Sequence, residues 1–238
     1  MGGRGARIPF RRSDGAFAPF EDVPLLAVAV SGGSDSMALA LLADGWCRRR
    51  GGRLVSLVVD HGLRPESADE ATTVVRLLQE SGIEARVLRW EGEKPRTAIQ
   101  ERAREARLEL LVQACRHEGA LHLLLGHHRQ DQEETVAMRL ERGSGPLGLA
   151  GMSACREMDD VRLLRPLLGF DKAELREWLE ARGIRWIEDP SNRDPRYWRA
   201  RFRAQAMSLT DRGTVPGEDG AVTRKGSNAP VRPSPRGA

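Results

Sequence analysis

A chain of 238 residues, 40% apolar and 30% charged, is long enough to bury one α/β core with appendages. No run of about 18 apolar residues argues for a membrane span, and the Gly- and Arg-rich stretch from Met1 to Arg12 lacks the apolar segment of a secretory signal. The net charge of +4 is carried mostly by arginine, which suits phosphate and RNA contacts but equally a GC-rich coding sequence, so basicity alone decides little.

In chain order, residues 1 to about 20 are expected to form a flexible arm. Pro24 bounds Leu25-Leu26-Ala27-Val28-Ala29-Val30, an apolar run that predicts a buried parallel strand. Ser31-Gly32-Gly33-Ser34-Asp35-Ser36 then turns the chain into a helix through Met37-Ala38-Leu39-Ala40-Leu41-Leu42, which ends at Arg48-Arg49-Arg50-Gly51-Gly52. A strand that stops at two glycines and restarts as a helix points several backbone N–H groups at one spot. With the helix dipole behind them, a phosphate is the natural occupant. An ordinary strand–turn–helix, with Asp35 or Ser36 as a cap, would use the same residues. The loop lacks the Gly-Lys-Ser/Thr ending of a Walker A motif, so it carries no lysine clamp of its own. The carboxylate of Asp35 inside such a nest makes sense if it holds Mg²⁺ against a polyphosphate.

Leu54–Val59 predicts a second buried strand, ending in the polar loop Asp60-His61-Gly62-Leu63-Arg64-Pro65-Glu66-Ser67, at the strand end where ligands bind in open α/β sheets. A helix from about Ala68 to Glu80 and a more amphipathic strand from Glu84 to Trp90, nearer an edge, come next. Thr97-Ala98-Ile99-Gln100 has capping-box spacing and opens a helix to about Glu118, stopped by Gly119. Leu108, Leu111, Val112 and Cys115 form its apolar face, while Arg102, Arg104 and Arg107 lie on the other. Leu121–Gly126 predicts a fourth strand, followed by His127-His128-Arg129-Gln130-Asp131-Gln132-Glu133-Glu134-Thr135, within which a helix starts. Asp131 and Glu134 are three apart and share one face near its N-terminus. They suit a metal or an ammonium group, or simply complement the helix dipole. His127-His128 has no third ligand at zinc spacing.

The glycine-rich run Arg142–Met152 follows no buried strand, so it is expected to be a mobile loop rather than a dinucleotide site. Val161–Leu164 predicts a short strand, and Asp171-Lys172-Ala173-Glu174 opens a capped helix to about Arg182-Gly183. The segment Arg193–Arg203 interleaves aromatics with arginines, suited either to stacking bases or to a surface amphipathic helix. From Ser208 to Ala238 almost no large apolar residues occur, and disorder is expected. Cys47, Cys115 and Cys155 form no CxxC pair and are expected to be buried thiols in a reducing cytoplasm. The fold class expected is α/β, a doubly wound, mostly parallel sheet of about five strands with a small helical extension after residue 165.

The six residues Ser31–Ser36 resemble the PP-loop, Ser-Gly-Gly-x-Asp-Ser, of the ATP pyrophosphatases, which cleave ATP between its α- and β-phosphates and attach AMP to a substrate. Taken in order with Val59–Arg64, Gln100–Leu111, Gly126–Thr135 and Asp189-Pro190-Ser191-Asn192 to Arg203, the chain from about 24 to 207 looks like the catalytic domain of the tRNA(Ile)-lysidine synthetase family. The resemblance implies a ligation that uses ATP, Mg²⁺, free L-lysine and tRNA(Ile) with a CAU anticodon. It implies phosphate contacts from Ser31, Gly32, Gly33, Ser34 and Ser36, a magnesium ligand in Asp35, and a nucleotide-side position for Asp60 and His61. It further implies that Asp131 and Glu134 fix lysine and a metal or adenylate, that Arg104 or Arg107 pairs with the lysine carboxylate, and that Arg199 lies near the reacting centre.

Two departures stand out. The family pattern His-His-x-Asp-Asp-Gln-x-Glu-Thr has its first Asp replaced by Gln130, which is expected to weaken activity if that side chain faces the site. Many members also carry C-terminal domains that grip the tRNA, whereas here a low-complexity tail follows about Met207. A sulfur-transferring PP-loop enzyme and a nucleotide- and tRNA-binding protein that no longer ligates are the alternatives, and oligomeric state is left open between monomer and homodimer.

Overall fold

A computed structural model describes residues 24–92, 94 and 97–188. The expected arm at 1–20, the Arg- and aromatic-rich segment, Arg199 and the tail from 208 lie outside the described residues. Among the described residues no helix is long and apolar enough to cross a membrane.

Leu25–Ala29 forms β1, Ser34–Arg48 α1, Arg53–Asp60 β2, Ser67–Glu80 α2, Ala85–Arg89 β3 and Ile99–Glu118 α3. His122–Leu124 forms β4, Arg129–Glu141 α4, Pro146–Leu149 α5, Cys155–Glu157 β5, Arg162–Leu164 β6 and Lys172–Glu180 α6. The strands make one sheet in the order β3-β2-β1-β4-β6-β5. All neighbours are parallel except β5 on β6. The sheet is doubly wound and mostly parallel as expected, with six strands rather than about five. The extra one is the three-residue antiparallel edge strand β5, too short and too exposed to leave an apolar pattern in the sequence.

Side-chain alternation along β1 explains the double winding. Leu26, Val28 and Val30 face a core built with Met37, Leu39, Ala43 and Trp46 of α1, Val74 and Leu78 of α2, and Leu175, Trp178 and Leu179 of α6. Ala27 and Ala29 face the opposite core, with Val55 and Leu57 of β2 and Leu111, Val112 and Cys115 of α3. Both faces are covered, which is why β1 reads as continuous apolar sequence. Helix α6, expected as part of an extension, belongs to the main core.

Three local expectations are corrected. Thr97–Gln100 does not form a capping box: α3 starts after Ala98, which sits at φ 49° with no side-chain cap. The glycine-rich run is pinned rather than free, because Gln132 both donates to Met152 O (2.9 Å) and accepts from Met152 N (2.6 Å). Arg139 adds bonds to Gly148 O and Gly151 O. Cys47 and Cys115 are buried, but Cys155 is exposed on the edge strand β5.

Chain direction fixes where a site can form. From β1 the connections run outward to β2 and β3, then the chain returns to place β4 on the other side of β1. The strand order therefore reverses between β1 and β4, and the crevice beyond their carboxyl ends is where open α/β sheets bind ligands.

Candidate functional site

The turn leaving β1 and the turn leaving β4 meet at that crevice. A Cβ on Gly126, just after β4, would lie 3.2 Å from both the nitrogen and the Cα of Ser36, so the two turns touch backbone to backbone. Gly32 has φ +87°, and a Cβ there would stand 2.5 Å from Val74 Cγ2. Conformation and space both require glycine at Gly32. Ile187 N–H closes the turn by donating to Gly32 O at 2.8 Å.

Gly33 is the N-cap of α1 and supplies no side-chain cap, leaving the first-turn amides to another acceptor. The Ser36 hydroxyl donates to Gly33 O at 3.0 Å and accepts from Ser31 N–H at 3.2 Å. Its contact with Ser31 Oγ is also 3.2 Å. Ser36 therefore braces the loop from inside. Ser34 Oγ donates to Asp35 Oδ1 at 3.2 Å.

Asp35 is the electrostatic focus. Its Oδ2 lies 3.5 Å from His128 Nε2 and 3.3 Å from Lys172 Nζ. Burial pushes this carboxyl up, but the His128 hydrogen bond and the Lys172 charge outweigh it and hold Asp35 below the usual carboxylate range. His128, 1% exposed, also places Nε2 3.4 Å from Asp131 Oδ2. One buried imidazole thus stands between the acid of the β1 turn and the acid at the start of α4. Asp131 Oδ2 additionally accepts the His128 backbone N–H at 3.0 Å, and Glu134, one turn on, is buried at 3% exposure.

A second cluster lies one strand over, at the end of β2. Asp60 Oδ1 accepts Gly62 N–H at 2.9 Å and the Ser67 hydroxyl. The Ser67 bond is the main reason Asp60 is held below its ordinary range, with the Gly62 amide adding to it against burial. Asp60 is therefore the clasp of the 61–67 loop. His61 Nδ1 lies 3.5 Å from Ser67 Oγ, and burial, then the charge of Arg107, depress its protonation. Arg107 is half-buried while Arg104 is exposed. Helix α3 runs back along the sheet from the strands' carboxyl ends, which puts its N-terminal half, with both arginines, at this end of the molecule.

The structure thus joins Ser31–Ser36 to Asp131 through His128 and groups Asp60, His61 and Arg107 beside them. Gln130, expected to weaken the site if it faced it, instead turns its amide to α6, where Nε2 donates to Asp171 Oδ1 at 2.9 Å and Oε1 accepts Lys172 N–H at 3.2 Å. Sequence reasoning missed His128, weighed only as a zinc ligand, and Lys172, read only as part of a capped helix. The signal for His128 was its place directly before a helix with an acid three residues on, the reciprocal arrangement of a cap. Nothing in the sequence gave Lys172 a direction.

The donor set suits a hard cation. A carboxylate beside helix-start amides, which suit a phosphate, would match Mg²⁺, which takes one or two carboxylates and completes its shell with phosphate and water. Among the described residues no group of three or more His, Cys, Asp and Glu gathers as a self-sufficient metal cage.

A family model described as a PP-loop domain matches residues 11–210. The chain is 50% identical over 202 residues to the tRNA(Ile)-lysidine synthase of a Bradyrhizobium species, covering 84% of this chain and 56% of that one. It is 48% identical over 208 residues to the enzyme of that name from Bradyrhizobium diazoefficiens (87% and 58%) and 47% over 196 residues to that of Rhizobium meliloti (76% and 43%). The chain spans little more than half the length of the first two. Among solved structures, the U34-tRNA thiolase NcsA of Methanococcus maripaludis superposes with a TM-score of 0.70 at 19% identity, covering 85% of this chain and 71% of that one, a likeness of fold.

Proposed function

Because the chain belongs to the PP-loop domain family, we propose that it catalyses ATP-dependent ligation of L-lysine to C2 of the wobble cytidine of tRNA(Ile) with a CAU anticodon. The observation that carries this reading is the shared crevice: Asp35 of the phosphate loop and Asp131 of α4 lie 3.5 and 3.4 Å from the same His128 nitrogen. A triphosphate on the loop and a cationic amino acid on Asp131 and Glu134 would then meet. The identities to tRNA(Ile)-lysidine synthases support the substrate assignment.

Two steps are proposed. The cytidine C2 oxygen attacks the α-phosphorus of ATP, the bond to the β-phosphate breaks, and pyrophosphate leaves. The lysine ε-amine then attacks C2, the C–O bond breaks, and AMP leaves with that oxygen. Ser31–Ser36 and the first-turn amides of α1 hold the phosphates and oppose charge growing on them. Asp35, held ionised, is the residue that would hold Mg²⁺, which when bound neutralises charge on the leaving pyrophosphate. Asp131 and Glu134 orient the lysine ammonium, and either carboxylate can take the proton the amine gives up. Arg107, turned in beside His61, is the stronger candidate for the lysine carboxylate because a guanidinium fork binds it at two points. Arg199 is assigned to the reacting centre on the family resemblance alone.

A sulfur-transfer reading finds less support. The three cysteines form no CxxC pair, and burial pushes the Cys47 and Cys115 thiols up to about 12, the opposite of an activated thiolate, which leaves the lone exposed thiol of Cys155. The test is pyrophosphate release with lysine and the tRNA supplied separately and together. Release requiring the tRNA is expected. Release with any tRNA, or with none, overturns the substrate assignment.

A further inference from the structure

The phosphate loop has no lysine of its own, yet one arrives from α6. Lys172 is the first residue of that helix, and its Nζ lies 3.3 Å from Asp35 Oδ2. The salt-bridge partner sits inside Ser31–Ser36, so the ammonium already stands at the mouth of the nest. Its side chain is 29% exposed, free to move to a stronger anion on its four-carbon stem.

What holds the start of α6 there is Gln130. Its amide meets two opposite demands at once, donating to the Asp171 carboxylate at 2.9 Å and accepting Lys172 N–H at 3.2 Å. Arg129 makes a further ion pair to Asp171. A carboxylate at position 130 offers only acceptors and would face Asp171 with like charge. From below, Leu175, Trp178 and Leu179 anchor α6 in the core beside α1. Position 172 is thus fixed from both sides and aimed at the loop.

We propose that Lys172 binds the phosphate chain of a nucleoside triphosphate held in the Ser31–Ser36 loop, and that Gln130 is the positioning residue that delivers it. This rests on the reading of that loop as a triphosphate site. When the multiply charged phosphate chain enters, it attracts the ammonium more strongly than the single charge of Asp35, so Lys172 transfers to phosphate and the Asp35 carboxylate is released. The lysine that a Walker A loop carries in its own sequence is supplied here from a distant helix.

The experiment is equilibrium binding of ATP and of AMP to the full chain, with melting temperatures measured alongside. For Lys172→Met, ATP affinity is expected to fall about tenfold or more, the size of one charge-assisted hydrogen bond, while AMP affinity changes less than about twofold. Lys172→Arg keeps most of the ATP affinity. Gln130→Glu, of the same shape, weakens ATP about threefold or more, and adding Asp171→Asn, which restores a donor opposite position 130, recovers it. Unchanged ATP affinity in Lys172→Met overturns the phosphate role, and unchanged ATP affinity in Gln130→Glu overturns the positioning role. Failure of the wild-type chain to prefer ATP to AMP removes the triphosphate reading itself, and the proposal with it.

Discussion

His128 Nε2 stands 3.5 Å from Asp35 Oδ2 with the ring 1% exposed, so one imidazole ties the β1 turn to the start of α4. His128→Ala removes a buried ring and leaves the Asp35 and Asp131 carboxylates without the group between them, at a cost of about 2–4 kcal/mol, read as a lower urea midpoint. The pH dependence follows. The folded pKa of Asp35 lies below the ordinary carboxylate value, so its contribution to stability is fully present above that ordinary value and is lost as pH falls through the folded pKa. In His128→Ala that acid-side loss shrinks, measured as a shallower fall of stability below pH 4.

Gly32 tests the backbone of the loop. Gly32→Ala costs about 1–2 kcal/mol for the left-handed conformation alone and more for the contact with Val74, whose Cγ2 would lie 2.5 Å from the new Cβ. Adding Val74→Ala relieves the contact but not the φ of +87°, so thermal unfolding of the double variant recovers only part of the loss beyond what Val74→Ala costs by itself.

His61 reports on Arg107. Burial and then the Arg107 charge hold its folded pKa below the ordinary 6.5. This favours the neutral ring, and the stability it contributes is present above pH 6.5 and lost as pH falls through the lower folded value. An NMR titration of the His61 ring is expected to show a midpoint under 6.5. Arg107→Met raises that midpoint without restoring it fully, because burial remains.

Asp35→Asn separates chemistry from folding. The amide keeps the shape and an acceptor for Lys172 but cannot serve as an anionic ligand, so pyrophosphate release is expected to drop at least a hundredfold with the unfolding free energy changed by about 1 kcal/mol or less. Release retained near the wild-type rate removes Asp35 from the reaction.

The winding of the sheet and the turn from β1 into α1 were legible because they rest on local pattern. Leu25–Val30 is apolar throughout since both faces of β1 are covered, and Ser31–Ser36 carries its own geometry in two glycines. Asp131 and Glu134 were legible as a pair by helical spacing. The role of Lys172 was not, since it depends on where α6 sits against α1, a tertiary fact that spacing along one helix does not encode. Gln130 shows the same limit: the motif presents it as a lost charge if it faces the site, and only its contact with Asp171, 41 residues on, reveals it as a brace. Strand β5 escaped because three exposed residues bear no period, and Thr97 failed as a cap because Ala98 took the helix boundary in a left-handed turn.

The most direct measurement is mass spectrometry of nucleosides from a tRNA(Ile) transcript with a CAU anticodon after incubation with the chain, ATP, Mg²⁺ and L-lysine. Lysidine is expected at the wobble position, absent when either ATP or lysine is left out. Unmodified cytidine in the complete mixture contradicts the proposed ligation.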